Sequence, residues 1–401
     1  MISAITDQPV SGKRLLVRAD LNVPMDNGRI TDGTRIERFA QGMKPLLAEG
    51  AQLVVLTHFG RPRPGGQNAE FSVEKLLPAL REALGTEVDF ISSAFGPEAQ
   101  EAADCLRNGK VLLVENLRFE AGETVNDTDF ASALAQLGDC YVNDAFSVSH
   151  RAHASTEALA HMMPAFAGPL LLEELNALQS ALEAPERPSV AIVSGAKVST
   201  KIAVLKNLVQ KVDHVIVGGG MANTFLFADG APMGKSLHEA DQIDTVAEIR
   251  AAAEKSGCTI HVQSDCAVAR EFRAGADRQI VPADACPDDA MILDAGPDAV
   301  EAFSEVLSQA KTILWNGPLG AFEMPPFDTA TNALARKAAE LTQSGNTVSV
   351  AGGGDTVAAL NSAGVANDFT YVSSAGGAFL EWLEGRTLPG IAALTRQSEK
   401  A

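Results

Sequence analysis

The chain has 401 residues, of which 46% are hydrophobic and 21% are charged, a balance typical of globular domains. At this length we expect two to three domains with a sizeable core. The formal net charge of -19 argues against a nucleic-acid or anionic-membrane binder, because both need a basic surface, so any anionic ligand must be held by local cations.

The cysteines and the longest apolar run bear on the cellular location. The five cysteines form no C-x-x-C pair, which predicts neither a disulfide framework nor a structural zinc site. The run from Met162 to Leu172 is too short to span a membrane, and the first residues lack the layout of a signal peptide. We therefore expect a cytoplasmic protein that binds neither membrane nor nucleic acid.

In the first part of the chain, short apolar runs alternate with helical segments such as Val73–Leu84 and Phe130–Leu137. This alternation predicts a parallel sheet with helices on both faces. The predicted strands are Leu15–Arg18, Leu53–Leu56, Val88–Ile91, Val111–Val114 and Cys140–Val142.

A helix is predicted between Pro169 and Pro188, where leucines recur at helical spacing. We interpret residues 169–188 as a linking helix and hinge between one domain of residues 1–168 and another of residues 189–388. An ordinary surface helix of either domain fits the same spacing. The leucines are Leu171, Leu175, Leu178 and Leu182.

The second part repeats the alternation of strands and helices, without a sequence repeat of fixed period. The predicted fold class is therefore α/β, with two doubly wound, Rossmann-like parallel-sheet domains. The predicted strands are Val190–Val193, His214–Val217, Ile260–Val262, Met291–Leu293, Thr312–Leu314, Val348–Val350 and Thr370–Val372.

One glycine-rich turn stands out in the second part. Val348 and Val350 lead into three glycines, 352–354, where the backbone can take positive φ and let a ligand approach closely. We expect a helix to begin near Thr356, so that its N-terminus suits a phosphate and Asp355 suits Mg²⁺. Alternatively, Asp355 only caps the helix.

Ligands of open parallel sheets bind outside the carboxyl ends of the strands, and the two halves differ there. Arginines and histidines cluster in the first half, which indicates a small anionic substrate, although a single loop arginine is commonly just a solvated charge. In the second half, glycines, amides and lysines after the strands suit a nucleotide. The first-half set includes Asp20, Asn22, Arg35, His58, Arg61, Arg118 and Arg151.

Other kinds of site fit less well. The pair His150 and His153 lacks a third zinc ligand, and Gly234-Lys235-Ser236 has Asp229 where a P-loop needs its first glycine. A nicotinamide-dependent dehydrogenase stays an alternative, because Gly218-x-Gly220 resembles part of a dinucleotide fingerprint. A catalytically silent nucleotide-binding protein is a further alternative.

Ten motifs in order carry a resemblance that spans nearly the whole chain. The sequence resembles the phosphoglycerate kinase family. The motifs are RADLNVP (18–24), THFGRP (57–62), ENLRF (115–119), VNDAF (142–146), HRAHAS (150–155), SGAKVSTKI (194–202), GGGMA (218–222), WNGPLGAFE (315–323), AGGGDT (351–356) and LEGRTLPG (383–390).

The resemblance implies reversible phosphoryl transfer between 1,3-bisphosphoglycerate and ADP, giving 3-phosphoglycerate and ATP, in glycolysis, gluconeogenesis or carbon fixation. It implies a monomer whose N-terminal domain binds the glycerate, whose C-terminal domain binds ATP or ADP with Mg²⁺, and whose domains close for direct in-line transfer. The tail, residues 389–401, is expected to pack back on the first domain.

The resemblance also implies a role for each matching residue. Asp20, Asn22, Arg35, His58, Arg61, Arg118 and Arg151 would bind the glycerate. Lys201, Gly219, Gly220, Asn316, Pro318, Glu323, Gly353, Gly354, Asp355 and Thr356 would bind the nucleotide, with Asp355 on the metal. Arg35, Lys197, Lys201, Gly354 and Gly377 would serve catalysis. The chain departs from the family pattern at Ser147-Val148-Ser149, Ser194 and Ser374-Ala375.

Overall fold

The computed structural model describes residues 2–65 and 69–398. Its contacts divide the described residues into two compact units. Unit 1 comprises the described residues of Met1–Leu175 and Thr387–Ala401, and unit 2 comprises Asn176–Arg386. The division falls within a helix, Pro169–Leu178.

Unit 1 is built on a sheet of six parallel strands. Its central strands are buried because they are continuous apolar runs, such as Val111–Val114, with helices covering both faces. Across the sheet the strands are Val88–Ile91, Val111–Val114, Gln52–Leu56, Arg14–Arg18, Cys140–Asn143 and Ala165–Ala167. A short antiparallel hairpin pairs Met25–Asp26 with Arg29–Ile30.

The helices of unit 1 begin and end where local residues favour it. Asp127 caps one helix by accepting a hydrogen bond from the backbone N–H of Phe130, and Gly85 ends another in the left-handed conformation. The α-helices are Thr34–Ala48, Leu77–Leu84, Pro97–Asp104, Ala121–Thr124, Thr128–Ala135, Leu159–Met162, Pro169–Leu178 and Pro389–Ser398. The other helical turns are Ile5–Asp7, Ala69–Phe71, Val73–Leu76, Leu117–Phe119, Phe146–Val148 and Ala154–Ala158.

Unit 2 also contains a six-stranded parallel sheet, and beside it a three-stranded antiparallel sheet. The parallel strands, in order across the sheet, are Thr259–His261, His214–Gly218, Ser189–Ser194, Thr312–Asn316, Val348–Gly352 and Tyr371–Ser373. The antiparallel strands, also in order across their sheet, are Gln279–Pro282, Asp265–Ala269 and Met291–Ala295.

The helices of unit 2 connect the strands of the parallel sheet. Its α-helices are Ile202–Leu208, Gly219–Ala228, Ile243–Ser256, Pro297–Gln309, Thr329–Gln343, Gly354–Ser362 and Gly376–Leu383. The other helical turns are Gln179–Glu183, Val198–Thr200, Ala240–Gln242 and Ala366–Asp368. The predicted fold class is therefore confirmed: both units carry a doubly wound parallel sheet.

Two element predictions need correction. Met291–Leu293 is a strand, but it belongs to the antiparallel sheet, because an apolar run does not reveal which sheet it joins. The segment Val73–Leu84 starts as a 3-10 helix, and the α-helix begins only at Leu77, next to a proline. Five strands were not predicted, because their apolar patterns are short or irregular: Met25–Asp26, Arg29–Ile30, Ala165–Ala167, Asp265–Ala269 and Gln279–Pro282.

Within the described residues, no helix is both long enough and apolar enough to cross a membrane. All five cysteines are free thiols, and all but Cys105 are buried.

Candidate functional site

Polar side chains follow four adjacent central strands of the unit 1 sheet, those that end at Arg18, Leu56, Val114 and Asn143. The carboxyl ends of parallel strands meet at one edge of a sheet. The loops that carry Asp20, His58 and Arg118 therefore converge there. We call this set of residues, with Asn22, Arg35, Arg61 and Arg151, the basic cluster.

Hydrogen bonds hold Arg35 in place at the cluster. Its guanidinium Nη1 lies 2.7 Å from Asp20 Oδ2 and 3.1 Å from the backbone oxygen of Asn22. Ser147, where the chain departs from the family pattern, donates to the same Asp20 oxygen at 2.5 Å. Asn22 in turn accepts from the backbone N–H of Gly60 at 2.9 Å. Asp20 and Asn22 thus orient the first arginine of the cluster.

Arg118 shows that positive charge is in excess here. Burial lowers its pKa to about 10, together with the neighbouring guanidiniums of Arg151, Arg18 and Arg61. One hydrogen bond, from its Nη1 to the backbone oxygen of Gly60 at 2.6 Å, orients it. Several guanidiniums that act on one another in this way favour an anion among them.

His58 and Arg151 complete the predicted cluster. His58 is only 5% exposed, and its pKa lies far below the ordinary value because of burial and the guanidiniums of Arg18, Arg118 and Arg151. Arg151 is half-buried and donates from Nε to His150 Nε2 at 3.1 Å. Arg61, in contrast, is exposed.

Sequence reasoning missed a buried group of residues behind the cluster. Arg18 is 1% exposed and donates from Nε to Ser155 Oγ at 2.8 Å. Glu123 is also 1% exposed and accepts from Ser155 Oγ at 2.7 Å and from Ser155 N at 3.1 Å. The only signal was an arginine at the end of an apolar strand, because nothing local links Arg18 to Glu123.

In unit 2, the carboxyl ends of the strands surround a cavity of about 560 Å³. Its size suits a nucleotide-sized ligand. All ten residues predicted to bind the nucleotide line it: Lys201, Gly219, Gly220, Asn316, Pro318, Glu323, Gly353, Gly354, Asp355 and Thr356. Sequence reasoning did not predict the apolar lining side chains Leu237 and Phe272, which are more than half exposed.

Lys201 is the cation of this cavity. Its Nζ donates to the backbone oxygen of Ser194 and to Asn316 Oδ1, both at 2.6 Å. Burial lowers the pKa of Lys201 to about 8, although Asp355 acts in the opposite direction. Asn316 itself is fixed by donating from Nδ2 to the backbone oxygen of Gly352 at 2.7 Å.

Several glycines of the cavity lining have no room for a side chain, and Gly353 and Gly220 are two of them. A Cβ on Gly353, where φ is +100°, would lie 2.6 Å from Asn316 Nδ2. A Cβ on Gly220 would lie 2.4 Å from the backbone oxygen of Ala196. A side chain at either position would therefore displace Asn316 or the Ala196 backbone, both of which line the cavity.

The helix after the glycine-rich turn runs from Gly354 to Ser362. Asp355 is therefore the second helical residue and not the cap, so the interpretation of Asp355 as a helix N-cap is wrong: Gly353 occupies that position, without a side-chain bond. Asp355 is exposed and belongs to the cavity lining. Thr356 accepts from the backbone N–H of Gly317 at 2.8 Å.

The cavity lining fits a magnesium ion shared with a nucleotide. Mg²⁺ prefers oxygen ligands and is commonly bound by one or two carboxylates together with phosphates. Asp355 supplies such a carboxylate beside a helix N-terminus. Within residues 2–65 and 69–398, no group of three or more histidine, cysteine or acidic side chains could hold a metal by itself.

Two predicted catalytic residues lie in unit 2 but outside the cavity lining. Lys197 is exposed and immediately precedes the 3-10 turn Val198–Thr200. Gly377 is also exposed, in the first turn of the helix Gly376–Leu383. Of the other three predicted catalytic residues, Lys201 and Gly354 line the cavity, and Arg35 belongs to the basic cluster.

Comparisons with known proteins agree on one family. The family model described as phosphoglycerate kinase matches residues 5–386. The chain is 58% identical to the phosphoglycerate kinase of Ruegeria sp. strain TM1040, over 97% of this chain and 98% of that protein. It is 57% identical to that of Cereibacter sphaeroides strain KD131, over 98% of each.

Solved structures give the same result. The phosphoglycerate kinase of Coxiella burnetii superposes with a TM-score of 0.93 at 40% identity, over 99% of this chain and 100% of that one. That of Pyrococcus horikoshii superposes with a TM-score of 0.80 at 28% identity, over the full length of both chains.

Proposed function

The chain belongs to the phosphoglycerate kinase family, and from this premise we propose that its basic cluster binds the glycerate and its unit 2 cavity binds the Mg-nucleotide. The reaction is the reversible transfer of a phosphoryl group between 1,3-bisphosphoglycerate and ADP, giving 3-phosphoglycerate and ATP, a step of glycolysis. Because the chain belongs to this family, we no longer consider a nicotinamide-dependent dehydrogenase.

The assignment of the glycerate to unit 1 depends on charge. The substrate carries carboxylate and phosphate groups, which arginine binds with two parallel hydrogen bonds. The basic cluster contains four arginines on a chain whose net charge is -19. The convergence of Arg118, Arg151 and Arg35 on the buried His58 is the single observation that supports this assignment best. Asp20 and Asn22 orient Arg35 and the Gly60 loop.

The assignment of the nucleotide to unit 2 depends on the cavity and its glycines. Lys201 provides a cation, and the helix that begins at Gly354 points free backbone N–H groups toward a phosphate. We assign Glu323 to the ribose hydroxyls, and Gly219, Gly220 and Pro318 to the adenine. Bound Mg²⁺ would neutralise phosphate charge, with Asp355 as its protein ligand.

The chemical step needs positioning and fixed positive charge, and no covalent intermediate. We assign Lys197 and Arg35 to the transferring phosphoryl group, where a preorganised cation stabilises the transition state. The helix starts at Gly354 and Gly376 supply backbone N–H groups, the second beside Gly377. Transfer is direct and in line between the two oxygens.

Transfer also requires closure, because reacting atoms must come within about 3–3.5 Å of each other and the ligands occupy different domains. Closure additionally excludes water, which would otherwise hydrolyse the acyl phosphate. We propose domains of residues 1–168 and 189–388, a hinge within residues 169–188, and a tail from residue 389 that belongs to the first domain. The enzyme would act as a cytoplasmic monomer and could also serve gluconeogenesis or carbon fixation.

Small-angle scattering tests closure together with the ligand assignment. The samples are the free protein, each binary complex, and a ternary complex with 3-phosphoglycerate and a non-hydrolysable Mg-ATP analogue. We expect the radius of gyration to fall only in the ternary complex, because neither ligand alone contacts both domains. A radius unchanged in every sample would contradict closure, and a coupled assay for ATP production checks that the sample is active.

A further inference from the structure

We propose that His58 is a neutral imidazole with its hydrogen on Nε2, held in that form by Arg18, and that it offers the glycerate one N–H donor and no charge. The inference concerns the basic cluster and rests on its proposed role as the glycerate site. It adds Arg18 as a positioning residue, one that acts through His58.

The side chains of Arg18 and His58 are in direct contact. Arg18 Nη2 lies 3.2 Å from His58 Nδ1, and both residues are buried, at 1% and 5% exposure. A guanidinium has only donors and keeps its protons in proteins. Nδ1 must therefore be the acceptor and carries no hydrogen. The hydrogen of the neutral ring then resides on Nε2, since each imidazole tautomer protonates one nitrogen.

Two further hydrogen bonds hold the guanidinium of Arg18 in place. Its Nη1 donates to the backbone oxygen of Ala19 at 2.5 Å, and its Nε donates to Ser155 Oγ at 2.8 Å. The single hydroxyl hydrogen of Ser155 is directed to Glu123 Oε1 at 2.7 Å. Each of the three guanidinium nitrogens of Arg18 thus has a partner, so Arg18 cannot turn away from His58 without losing two further bonds.

Positively charged side chains surround the imidazole ring of His58. The guanidiniums of Arg18, Arg118, Arg151 and Arg35 all act on His58 and, after burial itself, lower its pKa. A second hydrogen on the ring would face the donor of Arg18 at Nδ1 and add a buried charge to this group. Glu123 is connected to Arg18 through Ser155; burial raises the pKa of this carboxyl group, while Arg18 acts to lower it.

This assignment has a consequence for substrate binding. Because His58 holds no titrating proton near neutral pH, its bond to a phosphate or carboxylate oxygen persists from slightly acidic to slightly basic solution. The arginines supply all the positive charge of the site. If His58 were a cation, by contrast, glycerate affinity would fall as the pH rose through its pKa.

Nitrogen-15 NMR of the full-length protein labelled at histidine tests the tautomer. The His58 signals are identified by their loss in His58→Gln. We expect Nδ1 at the position of an unprotonated ring nitrogen and Nε2 at the position of an N–H, unchanged between about pH 5.5 and 8. Titration of both signals in that range, or a hydrogen found on Nδ1, would overturn the proposal.

The variant Arg18→Met tests whether Arg18 sets the state of His58 or only supports the fold. With the guanidinium gone, no donor fixes Nδ1 as the acceptor, so the two ring-nitrogen signals should move toward those of mixed tautomers. Burial and the guanidiniums of Arg118, Arg151 and Arg35 still hold the pKa of His58 low in this variant. A variant whose His58 keeps its hydrogen on Nε2 alone would show that Arg18 does not set the tautomer. If the variant does not fold, the wild-type spectra decide alone.

Adding 3-phosphoglycerate to the labelled protein distinguishes this inference from the proposed function. A shift of the His58 Nε2 signal on saturation supports both. If the signals have the expected pattern but 3-phosphoglycerate leaves them unmoved, the tautomer stands, while the donor role and the placement of the glycerate in the basic cluster are wrong.

Discussion

The ammonium group of Lys201 and the side-chain oxygen of Asn316 are joined by a hydrogen bond of 2.6 Å. Burial lowers the pKa of Lys201 to about 8, so in the ligand-free protein at about pH 8 a large fraction of the Lys201 side chains is neutral. Nucleotide phosphates would raise this pKa again. We therefore expect Mg-ADP binding at about pH 8 to take up protons, and binding at about pH 6 to take up none at this group.

Calorimetry in buffers of different ionisation enthalpy measures this uptake, because the observed heat then varies with the buffer. Lys201→Met is the control, since it keeps the length of the side chain and removes the titrating group. Uptake of equal size in the folded variant would assign the proton to another group.

Asp144 predicts a pH dependence of stability. Its Oδ1 accepts from the backbone N–H of Leu170 at 2.8 Å, whereas its buried Oδ2 has no hydrogen-bond partner among the described residues. Burial raises the pKa of Asp144 to about 7, above the unfolded value of about 4. Between these values the folded state holds a proton that the unfolded state has released. The stabilisation is therefore complete below about pH 4 and is lost as the pH rises through about 7.

Asp144→Asn removes this titration while keeping the oxygen that accepts from Leu170. We expect urea unfolding to give a free energy that declines less between about pH 5 and 8 than in the wild type. Asp229→Asn is the control: a hydrogen bond from Arg250 lowers the pKa of Asp229, so both its folded and unfolded forms are ionised in that range. Equal slopes for wild type and Asp144→Asn would contradict the prediction.

Arg118→Ala should weaken glycerate binding selectively. A hydrogen bond between charged groups contributes about 1.5–3 kcal/mol, so 3-phosphoglycerate affinity should fall about 10- to 100-fold. Affinity for Mg-ADP should stay within about twofold, because the cavity belongs to unit 2. Arg107→Ala, at an exposed arginine of unit 1 outside the basic cluster, is the control. Calorimetry with each ligand decides, and a comparable loss for Mg-ADP would show that the ligand assignment is wrong.

Asp355→Asn tests the metal ligand. The substitution preserves size and removes the charge that a hard cation prefers, so turnover should fall by about two orders of magnitude and the Mg²⁺ requirement should rise. Asp241→Asn, at an exposed carboxylate of unit 2 outside the cavity lining, should leave both unchanged. Near-native turnover of Asp355→Asn across a Mg²⁺ titration would remove Asp355 from the metal site.

The sequence predicted most strands of both parallel sheets, because continuous apolar runs such as Val111–Val114 mark buried strands. It could not assign Met291–Ala295 to its sheet, since pairing is decided by residues distant in the chain. The position of Asp355 inside the helix depended on the positive φ of Gly353, which the order Gly-Gly-Asp does not specify.

The buried hydrogen-bond networks could not be predicted from the sequence either. The family motifs located the arginines of the basic cluster, but they gave Arg18 no role. That role depends on Ser155 and Glu123, which come close to Arg18 only after the sheet has formed. Ser147, one of the departures from the family pattern, likewise gained a meaning only from its bond to Asp20.

The helix Pro389–Ser398 has a consequence for synthesis on the ribosome. It packs against Ala154–Ala158, Leu159–Met162 and Ala165–Ala167, and the backbone N–H of Gly390 donates to Ser149 at 2.9 Å. Unit 2 is one contiguous segment, whereas unit 1 combines the residues before it with those after it. The apolar surface of unit 1 is therefore covered only once the residues that follow Arg386 have been synthesised.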